Sequence, residues 1–360
     1  MTTLQEFYNE WNNGRDTMLV HTSGSTGAPK PLWVEKQRML RSARLTSDFL
    51  GLRPGDTALL CLPLGYIAGK MMVVRAIERH LHLTSVTPDN HPMRSIIERC
   101  PHNTENSHST LFSLAAMVPS QVYCSLQDDE ERSMLMRIRH LIIGGGSISA
   151  DLEQQLRSFP NAVWSTYGMT ETLSHIALRR ISGPEADAWY TPLSDVQISI
   201  SHDEDNGYTQ RGCLTIFAPQ VCSTPLRTND IAELHADGRR FRIIGRRDNV
   251  ICSGGIKIQA EEIEEILRQH ISCPLCITKV PDAKFGEAVT LLAEHPADAH
   301  PAWLATEAEL HSAFKYLSPY AVPKHVIRTD AIPLTPTGKT DRIAAQKLAE
   351  ASVINTHAEQ

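Results

Sequence analysis

Residues 57–168 constrain the fold most, because short apolar runs alternate there with longer amphipathic runs. The run TALLCLPL (57–64) is followed by AGKMMVVRAIERH (68–80) and LHLTSV (81–86), and the same order returns in HLIIGGG (140–146), ADLEQQLRSF (150–159) and AVWSTYG (162–168). Apolar runs of this kind are typical of buried strands, and the amphipathic runs are typical of helices. The alternation predicts an α/β core of parallel strands covered by helices, with ligands bound at the strand ends.

The remainder of the chain predicts two further pieces of structure. After residue 180 the short alternating segments VQISI, CLTIF and FRIIG are separated by Gly, Asn and Asp, which indicates antiparallel sheet. The stretch 249–360 carries its own strand and helix signals, enough for a small α+β domain. A chain of 360 residues also exceeds the ~250–300 residues at which single cores stop growing, so we expect more than one domain.

Composition excludes some classes of protein without selecting a function. A net charge of −6 argues against nucleic-acid binding as the main activity. No apolar run approaches the ~20 residues of a membrane span and the first residues are polar, so we expect a cytoplasmic protein without membrane contact. The eight cysteines are then expected to be reduced thiols, and the pair Cys273 and Cys276 is interpreted as two packed thiols rather than a metal or redox site.

A glycine- and hydroxyl-rich loop, TSGSTGAPK, follows the first apolar run and contains the parts of a phosphate cradle. Glycines allow close approach of the backbone, hydroxyls donate hydrogen bonds, and a lysine supplies the counter-charge. The spacing is not that of a Walker A loop. Taken alone, such a loop is more often an ordinary turn. The candidate residues are Thr22, Ser23, Gly24, Ser25, Thr26, Gly27 and Lys30.

Six segments in a fixed order strengthen that interpretation. They are TSGSTGAPK (22–30), YGMTET (167–172), LRTND (226–230), GRRDNVICSGGIKIQAEEIE (245–264), LSPYAVP (317–323) and PLTPTGKTDR (333–342). Together they resemble the adenylate-forming superfamily of acyl-CoA synthetases, peptide-synthetase adenylation domains and luciferases. The resemblance implies ATP, Mg²⁺ and coenzyme A as cofactors and a carboxylic acid as substrate. It also implies an AMP-binding domain at 1–247 and a mobile C-terminal lid domain at 248–360.

The resemblance assigns the nucleotide contacts residue by residue. Ser23, Ser25, Thr26 and Lys30 match groups that hold the β- and γ-phosphates. A hydroxyl suits the α-phosphate and a lone carboxylate suits Mg²⁺, while a carboxylate is also the right acceptor for two ribose hydroxyls. The matching positions are Thr170 for the α-phosphate, Glu171 for Mg²⁺, Gly144, Gly145 and Gly146 along the adenine, Tyr167 stacked on the base, Asp230 for the ribose, and Arg246 for the ribose or phosphate.

The C-terminal motifs match residues that act in two successive half-reactions. Lys339 matches a catalytic lysine that offsets the repulsion between the attacking carboxylate and the α-phosphate. Asp248 matches the hinge about which the lid turns after adenylation. Gly254, Gly255 and Lys257 match the segment that then lines the thiol tunnel, where glycine leaves room for a pantetheine arm. Such a turning step often limits turnover.

Three departures from the family pattern stand out. The usual Thr-Gly-Asp reads Thr228-Asn229-Asp230, and because asparagine tolerates a left-handed conformation we expect the turn to be preserved. The phosphate loop begins at residue 22, whereas most relatives place a longer segment before it, so we expect an N-terminally shortened version of the fold. Tyr66 stands where relatives often carry a histidine in the acid site.

The segment LPLGYIAGKMMVVRAIERHL (62–81) resembles most the o-succinylbenzoate:CoA ligases of menaquinone biosynthesis. That acid is an aromatic dianion, so its non-reacting carboxylate needs a cation, and Arg75 has the fork geometry for one. An equally good alternative from the residues alone is that Arg75 and Arg79 form a solvated stripe on a helix.

Three other functions fit the same nucleotide motifs. The chain could activate another aryl or medium-chain acid, or load a carrier protein instead of free coenzyme A. It could also be an inactive nucleotide-binding homologue, although Lys30, Glu171, Asp230 and Lys339 together argue for catalysis. The sequence leaves the oligomeric state open, a homodimer included.

Overall fold

The computed structural model describes residues 2–21, 31–99, 110–201, 211–296, 305–335 and 339–358. The described chain forms two compact units, and the strands between residues 197 and 246 are divided between them. The first unit takes residues 1–199, 215–227 and 234–242, and the second takes 200–214, 228–233 and 243–360. The second unit thus contains the whole predicted lid. The boundary near residue 248 remains a prediction about where the chain pivots.

Ten helices and eighteen strands make up the described part of the chain. The helices are Leu4–Trp11 (α1), Lys36–Phe49 (α2), Ile67–Arg79 (α3), Arg94–Arg99 (α4), Pro119–Leu126 (α5), Asp129–Met136 (α6), Ala150–Arg157 (α7), Ala260–Leu267 (α8), Glu307–Phe314 (α9) and Arg342–Ala358 (α10). The strands are Thr17–His21 (β1), Pro31–Glu35 (β2), Thr57–Leu60 (β3), His82–Ser85 (β4), Phe112–Met117 (β5), Ile138–Ile143 (β6), Ala162–Gly168 (β7), His175–Arg180 (β8), Thr191–Pro192 (β9), Gln197–Ser201 (β10), Arg211–Phe217 (β11), Leu226–Leu234 (β12), Phe241–Arg246 (β13), Val250–Ser253 (β14), Ile256–Gln259 (β15), Leu275–Asp282 (β16), Gly286–Glu294 (β17) and His325–Thr329 (β18).

A seven-stranded sheet forms the core of the first unit, in the order β4-β3-β5-β6-β7-β8-β9. The strands from β4 to β7 pair in parallel, and β8 and β9 continue the sheet antiparallel. All six residues of β5 are buried, as expected for a central strand covered on both faces. The predicted α/β core with parallel strands is confirmed.

The carboxyl ends of the parallel strands carry several of the predicted site residues. Gly144–Gly146 follow β6, and the turn with Thr170 and Glu171 follows β7. A Cβ on Gly144 would collide with the side-chain hydroxyl of Thr166, so a larger residue at this position would require that side chain to move. In open α/β sheets the carboxyl edge is the usual place for a ligand.

The predicted phosphate loop lies outside the described residues, but its two flanks are described. Strands β1 and β2 form an antiparallel hairpin whose last pair is His21 and Pro31. Residues 22–30 therefore join two neighbouring strand ends, and α2 begins directly after β2.

Strands β10 to β13 pair in sequence order in a four-stranded sheet. The expected turn at Asn229 is wrong, because Asn229 lies inside the nine-residue strand β12. Among the described residues, positive φ outside glycine occurs at His80, Leu173 and Asp195. Strand pairing thus holds Asn229 extended, and its capacity for a left-handed conformation is not used.

The second unit is built on a five-stranded sheet with α8, α9 and α10, which confirms the predicted α+β segment. A buried carboxylate links two of these helices. The carboxylate of Glu264 accepts hydrogen bonds from Arg342 (2.9 Å) and Arg268 (2.9 Å), which ties α10 to α8. Cys273 and Cys276 are both buried in hydrophobic clusters of this unit, as the interpretation of packed thiols requires.

None of the helices within the described ranges combines the length and the apolar character needed to cross a membrane.

Candidate active site

The turn after β7 is held by internal hydrogen bonds and presents a carboxylate to solvent. Thr172 holds it from inside, since its hydroxyl accepts from the Met169 amide (3.0 Å) and donates to the Ser174 carbonyl (2.8 Å). Leu173 is buried in a left-handed conformation with φ of 65°, an arrangement that costs free energy and persists only where the surroundings enforce it. Within this turn Thr170 is buried and Glu171 is exposed.

Glu171 fits a magnesium site shared with phosphates. Within the described ranges it makes no ion pair, and no group of three metal-ligating side chains is found. Mg²⁺ in nucleotide sites is usually held by one or two carboxylates and by substrate phosphates rather than by an all-protein cage. An exposed single carboxylate next to the Thr170 hydroxyl is suited to that arrangement.

Tyr167 and the glycine segment lie at neighbouring strand ends of the same sheet. The Tyr167 ring is half-buried and packs edge-on against Phe241, with ring centroids 5.3 Å apart. Gly145 has a positive φ of 81° and is exposed. A glycine segment at one strand end and an anchored aromatic ring at the neighbouring strand end are compatible with binding a planar base, the role predicted for Tyr167 and Gly144–Gly146.

Arg75 is buried, which decides between the two interpretations of its helix. Its side chain is 2% exposed, so the solvated stripe is wrong for this residue. Arg79, one turn later, forms ion pairs with Asp48 (2.5 Å) and Glu78 (3.3 Å). Arg75 has no ion pair with any described residue, and burial lowers the pKa of its guanidinium to about 10.

The hydrogen bonds of Arg75 leave much of its guanidinium unsatisfied. Nη2 donates to the hydroxyl of Ser174 at 2.5 Å, and Nη1 has only the sulfur of Met72 at 3.7 Å. Nε is buried without a partner among the described residues. A buried cation in this state is costly unless an anion reaches it.

Tyr66 is not close to Arg75 along their helix. Tyr66 caps the start of α3 and is 45% exposed, while Arg75 lies nine positions later. At about 1.5 Å per residue the two are separated by about 13 Å along the helix axis. The two residues therefore lie at different levels along α3, and their roles in binding the acid stay predictions.

In the second unit, Lys339 lies within electrostatic range of Asp230 and Arg246. Arg246 donates to Asp230 at 3.2 Å through Nη1 and to Asp248 at 3.2 Å through Nη2. Burial and then the Arg246 charge lower the pKa of Lys339, while the Asp230 carboxylate acts in the opposite direction. Three residues predicted to contact one nucleotide are thus grouped, although more than one hundred positions separate Asp230 from Lys339.

The backbone around Lys339 is held by hydrogen bonds on either side of residues 336–338, which lie outside the described ranges. The Thr335 amide donates to the Lys339 carbonyl at 2.7 Å, and the Lys339 amide donates to the Thr335 hydroxyl at 3.2 Å. Leu334 and Thr340 form an isolated bridge. These hydrogen bonds hold the backbone of Lys339 and with it the base of the lysine side chain.

Asp248 takes part in a polar network that the sequence did not predict. The Asn229 side-chain amide donates to Asp248 Oδ2 at 3.3 Å, and its oxygen accepts from Arg247 at 3.2 Å. Asp248 and Arg247 belong to the short turn that joins β13 to β14. The asparagine in place of the usual glycine is the sequence signal for this network, although on its own it predicts only a backbone effect.

Gly254 and Gly255 form the tip of the β14–β15 hairpin. Both have positive φ, 60° and 81°, and the flanking Ser253 and Ile256 are paired. A two-residue turn with positive φ at both positions matches the twist of a hairpin and favours glycine. Lys257 follows the tip and is exposed. The structure therefore explains these glycines by turn geometry, while their predicted thiol-site role stays a prediction.

Comparison with known proteins connects this arrangement to a family. The sequence profile of the family described as "AMP-binding enzyme" matches residues 5–223. Among curated relatives, the 2-succinylbenzoate–CoA ligase of Salmonella typhimurium is 28% identical over 302 residues, covering 80% of this chain and 60% of the relative. The corresponding enzyme of Staphylococcus aureus is 26% identical over 342 residues, covering 90% of this chain and 65% of the relative. The chain spans about 60 to 65% of the length of these relatives.

Solved structures show the same fold. An acyl-CoA synthetase (AMP-forming)/AMP-acid ligase II-like protein from Dyadobacter fermentans is 34% identical, with a TM-score of 0.59, and the match covers 94% of this chain and 91% of that one. O-succinylbenzoate coenzyme A synthetase from Bacillus subtilis, in complex with ATP and magnesium, is 21% identical with a TM-score of 0.72, covering 90% and 68%. ATP-bound MatB from Rhodopseudomonas palustris is 19% identical with a TM-score of 0.77, covering 92% and 68%.

Proposed function

The chain belongs to the AMP-binding enzyme family, and from that premise we propose that it ligates a carboxylic acid to coenzyme A with ATP. The observation that carries the proposal is the grouping of Lys339 with Asp230 and Arg246 in the second unit. A half-buried ammonium within electrostatic range of a carboxylate and a guanidinium suits a phosphorylated ribose, because each group has a counterpart in the nucleotide.

In the first half-reaction an oxygen of the acid attacks the α-phosphorus. A carbon–oxygen–phosphorus link forms, the bond between the α- and β-phosphates breaks, and pyrophosphate leaves. Lys339 offsets the repulsion between the two anions that meet, and it stabilises charge on the phosphoryl oxygens. Asp230 accepts hydrogen bonds from the ribose hydroxyls, which orients the α-phosphate.

The turn after β7 contributes to the same half-reaction. Thr170 donates a hydrogen bond to the α-phosphate, and Glu171 is the residue that would hold Mg²⁺, which supplies charge neutralisation for the phosphates. The hydrogen bonds of Thr172 and the enforced conformation of Leu173 keep both side chains in place without reorganisation. Residues 22–30 would hold the β- and γ-phosphates.

In the second half-reaction the thiol of coenzyme A attacks the acyl carbonyl and AMP leaves, which forms the thioester. Gly254, Gly255 and Lys257 would line the thiol path, since the hairpin tip is narrow and the lysine beside it is exposed. Turning about Asp248 would replace Lys339 by this segment.

The proposed acid is o-succinylbenzoate or another dianion of the same size. Arg75 supports this choice, because it is a buried cation with no ion pair among the described residues and with unsatisfied donors. Its one strong hydrogen bond goes to Ser174, which lies in the same turn as Thr170. A dianion held by Arg75 through one carboxylate would thus have its other carboxylate on the side of the turn that handles the α-phosphate.

A coenzyme A ligation assay with three acids tests the proposal. We expect thioester formation with o-succinylbenzoate at much lower concentration than with benzoate or octanoate. A preference for benzoate or octanoate would refute the dianionic substrate but not the ligase activity. If pyrophosphate is released but thioester forms only when a carrier protein is added, the acyl acceptor is a carrier protein instead of coenzyme A. No acid-dependent pyrophosphate release with any of the three would refute the enzyme and favour the nucleotide-binding homologue.

A further inference from the structure

A chain of hydrogen bonds beneath the turn after β7 connects helix α2 to Arg75. The Thr46 hydroxyl donates to the Ser42 carbonyl at 3.3 Å, and Nε2 of His175 lies 2.9 Å from the Thr46 oxygen. On the other side of the ring, Nδ1 of His175 lies 3.4 Å from the Ser174 hydroxyl, which accepts from Arg75 at 2.5 Å. Thr46, His175 and Arg75 are all buried.

One tautomer of His175, with its proton on Nε2, gives every bond in this chain a single direction. In this tautomer the hydroxyl proton of Thr46 is used toward Ser42, and the Thr46 oxygen accepts from the Nε2–H of His175. Burial and then the charge of Arg75 hold the pKa of His175 well below its ordinary value, so the ring is neutral and its Nδ1 is an acceptor. Nδ1 takes the Ser174 proton, which leaves the Ser174 oxygen free to accept from Arg75.

The direction of the chain has a consequence for Arg75. Nδ1 of His175 is then occupied by the Ser174 proton, and the Ser174 oxygen and the Met72 sulfur are the acceptors that the guanidinium has among the described residues. The remaining donors of Arg75 are then available to a ligand, with the plane of the fork set by the bond to Ser174. An anion with two oxygens, such as a carboxylate, satisfies two donors of such a fork at once.

We infer that Ser174 is a positioning residue that sets the Arg75 guanidinium for the second carboxylate of a dianionic acid, and that Thr46 and His175 orient Ser174 for this purpose. The inference rests on the proposed function, because it presumes that the acid binds at Arg75. Ser174, Thr46 and His175 belong to no recognised sequence motif. Selectivity for a dianionic acid would then depend on a neutral histidine.

The test compares three variants that remove or replace one buried group each. Ser174→Ala removes the acceptor, Thr46→Val replaces the hydroxyl that orients His175 at nearly constant volume, and Ser47→Ala is the matched control. Ser47 lies next to Thr46 on α2, is fully buried, and its hydroxyl has no hydrogen-bond partner within the described ranges. Removing that hydroxyl is therefore expected to leave activity unchanged.

KM and kcat are measured with o-succinylbenzoate and with benzoate. A hydrogen bond to a charged group corresponds to about tenfold or more in affinity, so we expect Ser174→Ala to raise KM for o-succinylbenzoate about tenfold. Thr46→Val should raise it about threefold, and the benzoate KM and both kcat values should stay within about twofold. Equal changes for the two acids, or none, would overturn the inference.

The same data separate failure of this inference from failure of the proposed function. If wild-type protein shows no preference for the dianion, or if replacing Arg75 leaves that preference intact, the proposed acid site is wrong. If replacing Arg75 removes the preference while Ser174→Ala and Thr46→Val both keep it, only the positioning role is wrong. Thermal unfolding of each variant shows whether it folds, and Thr46→Val decides the matter if Ser174→Ala does not.

Discussion

Replacing Arg75 by methionine is expected to make the protein more stable and less active at the same time. Methionine fills a similar volume in the apolar surroundings of α3 without a charge. Burial lowers the pKa of Arg75 to about 10, and at about 1.4 kcal/mol per pKa unit the bare cation costs the fold about 3 kcal/mol. Removing this charge therefore stabilises the fold, and loss of the hydrogen bond to Ser174 offsets about 1 to 2 kcal/mol of that stabilisation.

The sign of this effect follows from the direction of the pKa change. A base whose pKa is lower in the folded state is destabilising wherever it is charged in both states, which includes neutral pH. The penalty is lost only as pH rises through about 10 toward the ordinary arginine value. Arg75→Met should therefore raise the free energy of unfolding by about 1 to 2 kcal/mol at pH 7, measured by urea denaturation without ligands.

Activity should move the other way. Removing one partner of a buried ion pair costs about 3 to 5 kcal/mol, so kcat/KM for o-succinylbenzoate should fall by at least about a hundredfold. Benzoate, which has no second carboxylate, should be little affected. Arg79→Met is the matched control, since Arg79 is ion-paired on the same helix and its loss should cost up to about 1 kcal/mol without changing selectivity. A less stable Arg75→Met protein with unchanged acid selectivity would refute the reasoning and make Arg75 structural.

Three further predictions concern the nucleotide side of the site. Lys339→Ala should nearly abolish adenylation, measured by acid-dependent pyrophosphate release, while sparing thioester formation from supplied acyl-adenylate; equal loss of both would contradict a role in one half-reaction. Because Lys339 must be protonated and its pKa is lowered, adenylation should decline as pH rises through a value below that of an ordinary lysine, and Lys339→Arg should shift the decline to higher pH. Asn229→Asp should place like charges beside Asp248, so that amide hydrogen exchange at residues 247–249 becomes about two- to fivefold faster; unchanged exchange would show that the Asn229 contacts do not restrain this turn.

The parts of the fold that depend on local pattern were predictable. The alternation of strands and helices over residues 57–168 predicts the parallel sheet, because the hydrophobic periods of strands and of helices are each visible within single segments. The turn expected at Asn229 is wrong because that expectation also rests on local sequence alone. A local substitution indicated a left-handed residue, while pairing within the four-stranded sheet keeps β12 extended.

The surroundings of Arg75 could not be predicted from the sequence. Arg75 and Arg79 have the same chemistry and lie on one helix, yet one is buried and the other forms surface ion pairs. That difference is set by contacts with Ser174 and Asp48, which are distant in sequence. The chain through His175 and Thr46 joins three elements far apart in sequence and has no motif of its own.

Isotope transfer tests the central claim most directly. The acid is supplied as o-succinylbenzoate with ¹⁸O in its carboxylates, together with ATP, Mg²⁺ and coenzyme A, and the mass of the nucleotide product is measured. An acyl-adenylate mechanism predicts AMP that carries one ¹⁸O atom, because the acid oxygen that attacks the α-phosphorus stays on AMP when the thioester forms. Unlabelled AMP, or ADP with ¹⁸O in inorganic phosphate, would contradict activation of the acid at the α-phosphate.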